Sequence, residues 1–507
     1  MTLATLLHAL DGRVKVLERQ GDLDVSVKSI TDDSRTASSQ SLFVAVQGER
    51  VDGHRFISAA LKGGASAVIT QEAVSGVSVP CVRVEDSRKA LGLLGSRLYG
   101  DPSSRIRMIG ITGTNGKTTT TYVCKALLER LGGEVGLIGT VGYQIGTSTL
   151  PAAHTTPGAL ELQRLLAEMV TSGCTTAVME VSSHALAQDR TSGCEYDVAV
   201  FSNLTQDHLD FHKTMEDYFQ AKLRLFTGLA EGYKKNKRAI INVDDSYGSQ
   251  IVEHSPVPVW TYALKSKADL RAENVRLSIQ GTTFTAATPV GRFPIESHLV
   301  GEHNVYNLLA AIGVALHEGA SPDHIRQAVD KVFNVPGRFE RVVAGQPFTV
   351  VVDYAHTEDA LVRLLTAAEV LKTGRIITVF GCGGDRDRGK RPKMGAAAVR
   401  HSDVVILTSD NPRTENPHDI LAQVEVGVVE GLRQRPHVQY RKIADRRQAI
   451  EEAIREAQGS DMVLIAGKGH EDYQIVGTEK LHFDDREVVR HAIQRLNIGT
   501  TPGTMSE

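Results

Sequence analysis

The chain has 507 residues, of which 41% are hydrophobic and 23% are charged, and its formal net charge is −3. This composition is that of an ordinary globular protein, and the length suggests about three domains. The slight acidic excess argues against a dedicated nucleic-acid-binding protein, and no stretch approaches the ~18 apolar residues of a membrane span. The five cysteines are scattered without metal-ligand spacing, so we expect free thiols and a cytoplasmic protein.

The first hundred residues alternate short strand-like and helix-like segments. Strands are predicted at Leu42–Val46, Ala67–Thr70 and Cys81–Val84. The segment Phe56–Lys62 has a helical pattern, and Asp101-Pro-Ser-Ser104 is typical of a linker. We therefore expect a small amino-terminal α/β domain over residues 1–102.

The most informative segment is the glycine-rich run Gly110-Ile-Thr-Gly-Thr-Asn-Gly-Lys-Thr-Thr119. An apolar stretch precedes it, and an amphipathic helical segment, Thr118–Leu131, follows it. Small residues let backbone N–H groups converge on a polyphosphate, while the helix N-terminus and Lys117 add positive charge. The hydroxyl of Thr118 is suited to bind Mg²⁺. A general P-loop has glycine six residues before the lysine, where this chain has Ile111, so the run predicts a variant phosphate-binding loop.

Strands and helices alternate through the rest of the chain. Further strands are predicted at Met108–Thr112, Ala177–Val181, Val198–Ser202, Ala239–Asn242, Thr349–Val352, Ile376–Phe380, Val404–Thr408 and Met462–Ala466. Such alternation predicts mostly parallel sheets with helices on both faces. Because Pro336-Gly337 marks a boundary, we expect a central domain over residues 103–335 and a carboxyl-terminal, Rossmann-like α/β domain over residues 336–507.

Polar clusters follow these strands at their carboxyl ends, the edge at which open α/β sheets bind ligands. The clusters are the phosphate loop, Glu180 with Ser182-Ser-His184, Asn203–His208, Gly381–Arg386, Asp410–Arg413 and Gly467–Glu471. Their number predicts ligand sites at the edges of both the central and the carboxyl-terminal sheets.

Glu180 and His208 are candidate ligands for a divalent metal ion, which a nucleoside triphosphate needs to shield its charge. Both residues follow strands, so both can reach Lys117; taken alone, Glu180 could equally cap a helix and His208 could begin one. Lys222 lies in a helical segment, Glu216–Phe226. A lysine held near metal ions can react with CO₂ to give a carbamate, an anionic oxygen ligand suited to Mg²⁺. The spacing alone does not favour this role over an ordinary solvated lysine.

Charged residues of the last zone predict a zwitterionic, amino-acid-like ligand. Arg386 and Arg413 are suited to bind carboxylates in bidentate fashion, and Asp410 and Glu471 are suited to bind an ammonium group. Surface ion pairs are the alternative, since they are abundant and weak. The rigid, close-approach loop at Gly383-Gly384 favours the ligand site.

Taken jointly, the motifs resemble those of the Mur ligases over nearly the whole chain. The matching segments are the phosphate loop, Met179–His184, Asn203–Asp210, Gly301–Asn307, Pro336–Arg338, Asp353–His356 and Gly467–Tyr473. The resemblance implies an ATP-dependent ligase of peptidoglycan precursor synthesis that acts on small-molecule substrates, with no nucleic acid or membrane span and as a monomer. In that family, Asp410-Asn-Pro-Arg413 marks members that add meso-diaminopimelate to the D-glutamate γ-carboxylate of UDP-MurNAc-L-Ala-D-Glu.

The resemblance also implies the site residues. The ATP-binding positions are Gly113, Thr114, Asn115, Gly116, Lys117, Thr118, Thr119, Asn304, Asn307, Arg338 and Asp353. The UDP-MurNAc-dipeptide positions are Asp32, Ser34, His154, Thr155, Thr156, Ser182, Gln188 and Arg190, with Glu49-Arg50-Val51 in a loop on the uridine side. The diaminopimelate positions are Arg386, Asp410, Asn411, Pro412, Arg413, Gly467 and Glu471. The Mg²⁺ positions are Thr118, Glu180, His208 and Lys222 as a carbamate, and the catalytic group is Lys117, Glu180, His208 and Lys222.

The implied reaction passes through an acyl phosphate, which the diaminopimelate amine attacks. A lysine-adding muramoyl ligase is one alternative, which Arg413 disfavours because an unpaired arginine would penalise lysine. A folylpolyglutamate synthetase is another, disfavoured by the uridine-type motifs Asp33-Ser-Arg35 and Asp52-Gly-His54. A non-catalytic nucleotide-binding scaffold is disfavoured by the intact catalytic group, and a nucleic-acid-dependent P-loop ATPase by the acidic balance and the variant loop.

Overall fold

The computed structural model describes residues 1–48 and 51–499, so Glu49 and Arg50 of the expected uridine-side loop lie outside the described residues. The chain divides into two compact units. The first consists of Met1–Glu273, Thr285–Ile295 and Val305–Lys331; the second consists of Asn274–Phe284, Glu296–Asn304 and the chain from Val332 onward. The second unit therefore includes two segments that the sequence-based division assigns to the central zone.

A five-stranded sheet lies in the amino-terminal part of the first unit. Its strands are β1 Val16–Gln20, β2 Ser29–Thr31, β3 Ser41–Val44, β4 Ala67–Thr70 and β5 Cys81–Val84, and its helices are α1 Leu3–Leu7, α2 Ile57–Lys62 and α3 Ser87–Leu98. The order is β1-β5-β4-β3-β2, parallel except for β1 at the edge. Alternate residues are buried on opposite faces, with Leu42 and Val44 in one hydrophobic cluster and Phe43 in another. Apolar packing on both faces agrees with the expected small α/β fold.

The central sheet has eleven strands in the order β16-β15-β14-β13-β12-β11-β6-β10-β7-β8-β9. They are β6 Arg107–Thr112, β7 Glu134–Ile138, β8 Tyr143–Ile145, β9 Ser148–Leu150, β10 Cys174–Glu180, β11 Val198–Phe201, β12 Arg238–Asn242, β13 Val259–Ala263, β14 Leu270–Ser278, β15 Gly281–Thr288 and β16 Gly291–Ser297. The associated helices are α4 Lys117–Glu129, α5 Ala159–Thr171, α6 Ser183–Ala187, α7 Leu209–His212, α8 Met215–Thr227, α9 Ser246–His254, α10 Glu302–His317 and α11 Pro322–Val329. Strand β6 lies between β11 and β10 and runs parallel to both, so the carboxyl ends of these three strands meet at one edge.

A six-stranded sheet forms the core of the second unit, in the order β17-β18-β22-β19-β20-β21. Its strands are β17 Glu340–Arg341, β18 Thr349–Asp353, β19 Ile376–Phe380, β20 Val404–Leu407, β21 Gln439–Lys442 and β22 Met462–Ala466; a separate hairpin consists of β23 Tyr473–Val476 and β24 Glu479–His482. The helices are α12 Glu358–Leu371, α13 Lys390–His401, α14 Pro417–Gln434, α15 Arg446–Glu456 and α16 Asp485–Gly499. All pairings except β17–β18 are parallel, and two hydrophobic clusters cover the two faces.

The mixed α/β class and the mostly parallel sheets are confirmed. The predicted strands end within two residues of the observed ones, and only β10 begins three residues earlier than expected, at Cys174. The sequence analysis did not identify the remaining strands, which are β1, β2, β7 to β9, β13 to β17, β21, β23 and β24. Among these, β14 to β16 have alternating burial, which leaves little continuous apolar sequence. Among the described residues, no helix is both long enough and apolar enough to cross a membrane.

Candidate active site

The phosphate loop connects β6 to α4, as the sequence predicts. Gly113 and Gly116 have φ values of 148° and 89°, and a Cβ atom on Gly113 would overlap the hydroxyl of Ser202. Both positions therefore require glycine. The observed helix begins at Lys117 rather than Thr118, which places the lysine in its first turn.

Two lysine side chains converge on the loop. The Nζ atom of Lys117 donates hydrogen bonds to the carbonyl oxygens of Gly113 and Thr114, at 2.9 and 2.8 Å. The Nζ atom of Lys222, from helix α8, donates to the same Gly113 carbonyl at 2.9 Å. The charge of Lys117 makes the loop suited to a polyphosphate, and the Lys222 amine lies beside the same carbonyl.

The end of strand β11 fixes the shape of the loop. The carbonyl and side-chain oxygens of Asn203 accept hydrogen bonds from the backbone N–H groups of Thr114 and Asn115, at 2.8 and 3.0 Å. The Ser202 hydroxyl donates to the carbonyl of Asn115 at 2.6 Å. The polar residues that follow β11 thus hold the loop in place before any ligand binds.

Glu180 lies directly beside the phosphate loop. Its Oε2 atom accepts hydrogen bonds from the hydroxyls of Thr118 and Thr140, both at 3.1 Å, and its Oε1 atom accepts the backbone N–H of Thr140 at 2.9 Å. This buried set of carboxylate and hydroxyl oxygens has the hard-donor chemistry that Mg²⁺ prefers. Thr140 was missed by the sequence analysis, although it too is a polar residue that follows a strand, β7.

His208 occupies the turn before helix α7, in the left-handed conformation with φ of 55°. Its ring lies 4.7 Å from that of His184, measured between centroids, and its Nε2 atom lies 3.4 Å from Asp207 Oδ2. Burial, together with the charges of Lys117 and Lys222, lowers the pKa of His208 to about 4. The imidazole is therefore neutral at pH 7, the form in which histidine binds metals.

Lys222 is only 1% exposed, which is unusual for a lysine. Its Nζ atom lies 4.5 Å from the ring centroid of Tyr218. Burial and the neighbouring charge of Lys117 lower the pKa of Lys222 well below its ordinary value. The neutral amine is the form that reacts with CO₂, so burial removes the main objection to the carbamate hypothesis.

The two candidate adenine-side asparagines lie on helix α10. Asn307 Oδ1 accepts a hydrogen bond from Thr120 Oγ1 at 3.3 Å, and a Cβ atom on Gly116 would overlap that same oxygen. Asn307 therefore adjoins the phosphate loop. Asn304 is buried and donates to the carbonyl of Val300 at 2.8 Å.

Arg338 and Asp353 lie close together in the second unit. The guanidinium of Arg338 lies 4.9 Å from the ring centroid of Tyr354. The carboxylate of Asp353 accepts the backbone N–H groups of Phe339 and Ala355, at 2.6 and 2.8 Å. Burial raises the pKa of Asp353, and the charge of Arg338 opposes that effect.

Four of the candidate dipeptide-binding residues form one hydrogen-bonded group. The Thr156 hydroxyl oxygen accepts a hydrogen bond from the backbone N–H of Ser182 at 3.0 Å. Arg190 Nη1 donates to the carbonyl of Thr156, also at 3.0 Å. Arg190 also donates from Nε to Gln188 Oε1 at 2.9 Å. This group adjoins the carboxylate site, because the Thr156 hydroxyl also donates to the carbonyl of Glu180 at 2.8 Å.

The other four candidate dipeptide-binding residues are less closely grouped. The Thr155 and Thr140 hydroxyls are 3.1 Å apart, whereas His154 is exposed and takes part through its carbonyl, which accepts from Tyr143 at 2.7 Å. Asp32 and Ser34 follow β2 of the first sheet, and Ser34 begins a short 3₁₀ turn capped by Asp33.

The candidate amino-acid pocket brings together most of the residues expected for it. The Asn411 side chain donates from Nδ2 to Glu471 Oε2 at 2.9 Å, and Arg413 Nη1 donates to the carbonyl of Gly384 at 2.8 Å. A Cβ atom on Gly383 would lie 2.9 Å from Arg413 Nη1, and one on Gly384 would overlap the carbonyl of Pro412. The paired glycines therefore let the two loops approach closely, as the sequence suggests.

Arg386 differs from the rest of this group. It is exposed, and its Nη1 atom donates to the carbonyl of its neighbour Asp385 at 3.3 Å.

Gly467, with φ of 121°, adjoins Asp410: a Cβ atom there would lie 3.2 Å from Asp410 Oδ2. Lys468, which the sequence analysis did not single out, is buried beside Asp410, Asn411 and Glu471.

Comparison with known proteins gives three family matches along the chain. Residues 26–99 match the model of the Mur ligase family catalytic domain, residues 111–315 the Mur ligase middle domain, and residues 337–469 the Mur ligase glutamate ligase domain. Together these matches span most of the chain and all three sheets.

Two curated relatives are similar over nearly the full length, and both are UDP-N-acetylmuramoyl-L-alanyl-D-glutamate--2,6-diaminopimelate ligases. The protein from Geobacter sulfurreducens is 47% identical over 484 residues, covering 92% of this chain and 94% of the relative. That from Geobacillus thermodenitrificans is 47% identical over 496 residues, covering 97% and 99%. A solved structure of such a ligase is 36% identical, has a TM-score of 0.72, and covers 98% of this chain and 100% of its own. The chain therefore belongs to the Mur ligase family of ATP-dependent ligases.

Proposed function

We propose that the protein joins meso-diaminopimelate to the D-glutamate γ-carboxylate of UDP-MurNAc-L-Ala-D-Glu, at the expense of ATP, in peptidoglycan precursor synthesis. The observation that carries the proposal is the amino-acid pocket. It combines Arg413 with the carboxylates of Asp410 and Glu471, a charge pattern suited to a zwitterionic end that has both a carboxylate and an ammonium group. Both 47%-identical relatives are diaminopimelate ligases, which supports the same substrate.

ATP would be bound by two groups of residues. Gly113 to Thr119 and Asn307 would bind the phosphates and the adenine side, and the family resemblance assigns Asn304, Arg338 and Asp353 to ATP as well. The contacts of Lys117 with the Gly113 and Thr114 carbonyls support this assignment, since its charge lies where a triphosphate needs it.

Mg²⁺ would be held by Thr118, Glu180, His208 and a carbamate on Lys222. The donor set fits, because the Glu180 carboxylate and Thr118 hydroxyl are adjacent, the His208 imidazole is neutral and the Lys222 amine is buried. When bound, the ion would screen the charge of the transferring phosphoryl group. The remaining functions belong to side chains and backbone groups of the chain itself.

The chemistry follows from the weakness of a carboxylate as an electrophile. A γ-carboxylate oxygen attacks the γ-phosphorus of ATP, the bond to ADP breaks, and an acyl phosphate forms. The diaminopimelate amine then attacks the acyl carbon, loses a proton, and expels inorganic phosphate. Lys117 would reduce repulsion between the two anions in the first step, and the Thr156, Ser182, Gln188 and Arg190 group would position the dipeptide, with Asp32, Ser34, His154 and Thr155 completing its site.

Three broader proposals accompany this function. The three larger sheets support a division into a UDP-substrate domain, 1–102, an ATP-binding domain, 103–335, and an amino-acid-binding domain, 336–507. All five cysteines are free thiols, which supports a cytoplasmic location. We further propose that the protein acts as a monomer. A measurement of its molar mass by light scattering, on the purified protein in solution, would test this.

The test is phosphate release by the purified protein with ATP, Mg²⁺ and UDP-MurNAc-L-Ala-D-Glu, with products identified by mass. Parallel reactions contain meso-diaminopimelate, L-lysine or no amino acid. Turnover with diaminopimelate alone is expected. Equal or better turnover with lysine would leave a ligase but overturn the substrate assignment, and no ligation with either amino acid would overturn the proposed function.

A matched pair of variants tests the role of Arg413. Replacing Arg413 with methionine should lower kcat/KM for diaminopimelate by about 100-fold, since removing one partner of a charge pair costs roughly 2–5 kcal/mol. Lysine turnover should not fall in this variant, because lysine lacks the distal carboxylate. Arg433→Met, at an exposed position of helix α14, is the control and should leave both substrates unaffected.

A further inference from the structure

Lys468 is a fully buried lysine at the centre of the amino-acid pocket. It follows strand β22 and lies between two glycines with positive φ, Gly467 at 121° and Gly469 at 53°. Its side chain is 0% exposed. An ammonium group is buried in this way only when several partners compensate for its lost hydration.

The partners of Lys468 are the polar residues of the pocket. Its Nζ atom donates hydrogen bonds to Asn411 Oδ1 at 2.9 Å and to the carbonyl of Tyr473 at 2.6 Å. It also lies 3.4 Å from Asp410 Oδ1 and 3.8 Å from Glu471 Oε2. One ammonium group thus contacts both carboxylates and the Asn411 amide, which itself donates to Glu471.

Asp410 has a particular position in this group. Its Oδ1 atom is buried and accepts no hydrogen bond within the described residues, although it forms the ion pair with Lys468. A buried carboxylate oxygen without a donor is costly unless a ligand supplies one. The amino-acid ammonium group of a substrate would be such a donor.

Charge balance shows what Lys468 contributes. Asp410 and Glu471 together carry two negative charges, and Arg413 supplies one positive charge. Lys468 supplies the second and brings the sum of these four groups to zero. Without Lys468, the charges of the two neighbouring carboxylates would be balanced only by that of Arg413. Repulsion between the carboxylates would then favour a proton shared by the pair.

We propose that Lys468 is a positioning and specificity residue of the amino-acid site, whose buried ammonium group orients Asp410, Asn411 and Glu471 and matches the pocket to a zwitterionic amino-acid end. The inference rests on the proposed function for the identity of that amino acid. It does not require Lys468 to touch the reacting atoms; the residue acts through the two carboxylates and the amide.

The charged groups around the site support a pH-dependent readout. Burial and the charge of Asp410 raise the pKa of Glu471, whereas Lys468, Asn411 and Arg413 lower it. Lys468 itself faces Asp410, Arg446, Glu471 and Asp485, and burial lowers its pKa. The pKa of Tyr473, which also adjoins Glu471, is raised by burial. Removing the lysine charge should therefore raise the pKa of Glu471 further.

The test compares the full-length Lys468→Met and Lys468→Gln variants with wild type. We expect the KM for diaminopimelate to rise about 10- to 100-fold, as for loss of one partner from a buried charge pair, while the KM values for ATP and the UDP substrate change less than about twofold. The KM increase should diminish as the pH is raised, because Glu471, whose pKa the variants raise further, regains its charge. Lys442→Met is the control, since Lys442 is an exposed lysine of the same unit paired with Glu425.

A double variant separates this role from a general structural one. If Lys468 acts through Glu471, Lys468→Met should add little to the KM increase of Glu471→Gln, so the two effects are not additive. Parallel increases in all three KM values, or full additivity with no pH dependence, would overturn the inference. If wild type uses a different amino acid, only the proposed substrate is wrong. The role of Lys468 would then be tested by comparing the same variants with wild type on that amino acid.

Discussion

A buried ion pair between Arg446 and Asp485 holds the base of the amino-acid pocket, and its removal gives a quantitative prediction. Both side chains are 0% exposed. The guanidinium donates from Nε to Asp485 Oδ1 at 2.8 Å and from Nη2 to Oδ2 at 2.7 Å, a bidentate arrangement. It also donates to the carbonyls of Ser409 and Ala466, at 3.4 and 3.1 Å. Arg446 therefore connects helix α16 to the ends of strands β20 and β22.

Arg446→Met would leave the Asp485 carboxylate buried without its partner. Breaking one side of a buried pair costs about 3–5 kcal/mol. At about 1.4 kcal/mol per factor of ten, hydrogen exchange of the amides in β19 and β22 should accelerate by about 10²- to 10⁴-fold. Exchange followed by mass spectrometry measures this in the second unit directly, without requiring the whole chain to unfold in one step.

Two further variants make the result interpretable. Arg447→Met is the control, because Arg447 is the exposed neighbour of Arg446 and its guanidinium lies over the ring of Phe483. It should change the rate of hydrogen exchange less than about tenfold. The double variant Arg446→Met/Asp485→Leu removes both charges and should restore near-wild-type exchange. An acceleration below tenfold for Arg446→Met alone would refute the reasoning, and an equally damaged double variant would show that packing rather than charge is responsible.

Three other perturbations have definite expected outcomes. Gly113→Ala should abolish ATP binding in equilibrium dialysis, because its Cβ atom would overlap the Ser202 hydroxyl; retained binding would contradict the loop geometry. Burial lowers the pKa of His212 from 6.5 to about 4, so the unfolded chain binds more protons between these values and stability falls as the pH drops through that range. His212→Gln should flatten this decline in melting temperature, and an unchanged slope would count against it. Lys222→Met should lower turnover more than about 100-fold yet raise the melting temperature; ¹³C-bicarbonate NMR of wild type should show a carbamate, and its absence would exclude that ligand.

The sequence predicts the sheets well where strands are buried on both faces. β4, β5, β19 and β22 were bounded correctly because each is a short apolar run between polar turns. The hairpin segments β14 to β16 alternate buried and exposed residues and follow one another without helices. β16 also contains Pro294, a residue that argues against a strand, which is why local pattern alone did not identify it.

The candidate site could be predicted wherever a functional residue follows a strand inside a recognisable motif. Glu180, Asn203 and Asp410 satisfy that condition. Glu180 contacts Thr118 and Asn203 contacts the phosphate loop, whereas the contact of Asp410 with Lys468 was not expected. Thr140 also follows a strand but lies in an unremarkable Gly-Thr-Val-Gly segment. Its contact with Glu180 depends on the register between β7 and β10, which is a tertiary property.

The burial of a lysine is the property that is hardest to predict from the sequence, because lysine is ordinarily a solvated surface charge. Lys222 and Lys468 are 1% and 0% exposed, and each donates to a backbone carbonyl, that of Gly113 after β6 and that of Tyr473 in the hairpin β23–β24. Burying an ammonium group costs several kcal/mol, so a fold selected for stability alone would replace both with apolar residues of similar volume. Their presence at the two candidate ligand-binding edges is explained if both serve bound substrates, Lys222 as a metal ligand and Lys468 through Asp410 and Glu471. Loss of Lys222 should therefore stabilise the unliganded fold and yet lower turnover by more than about 100-fold.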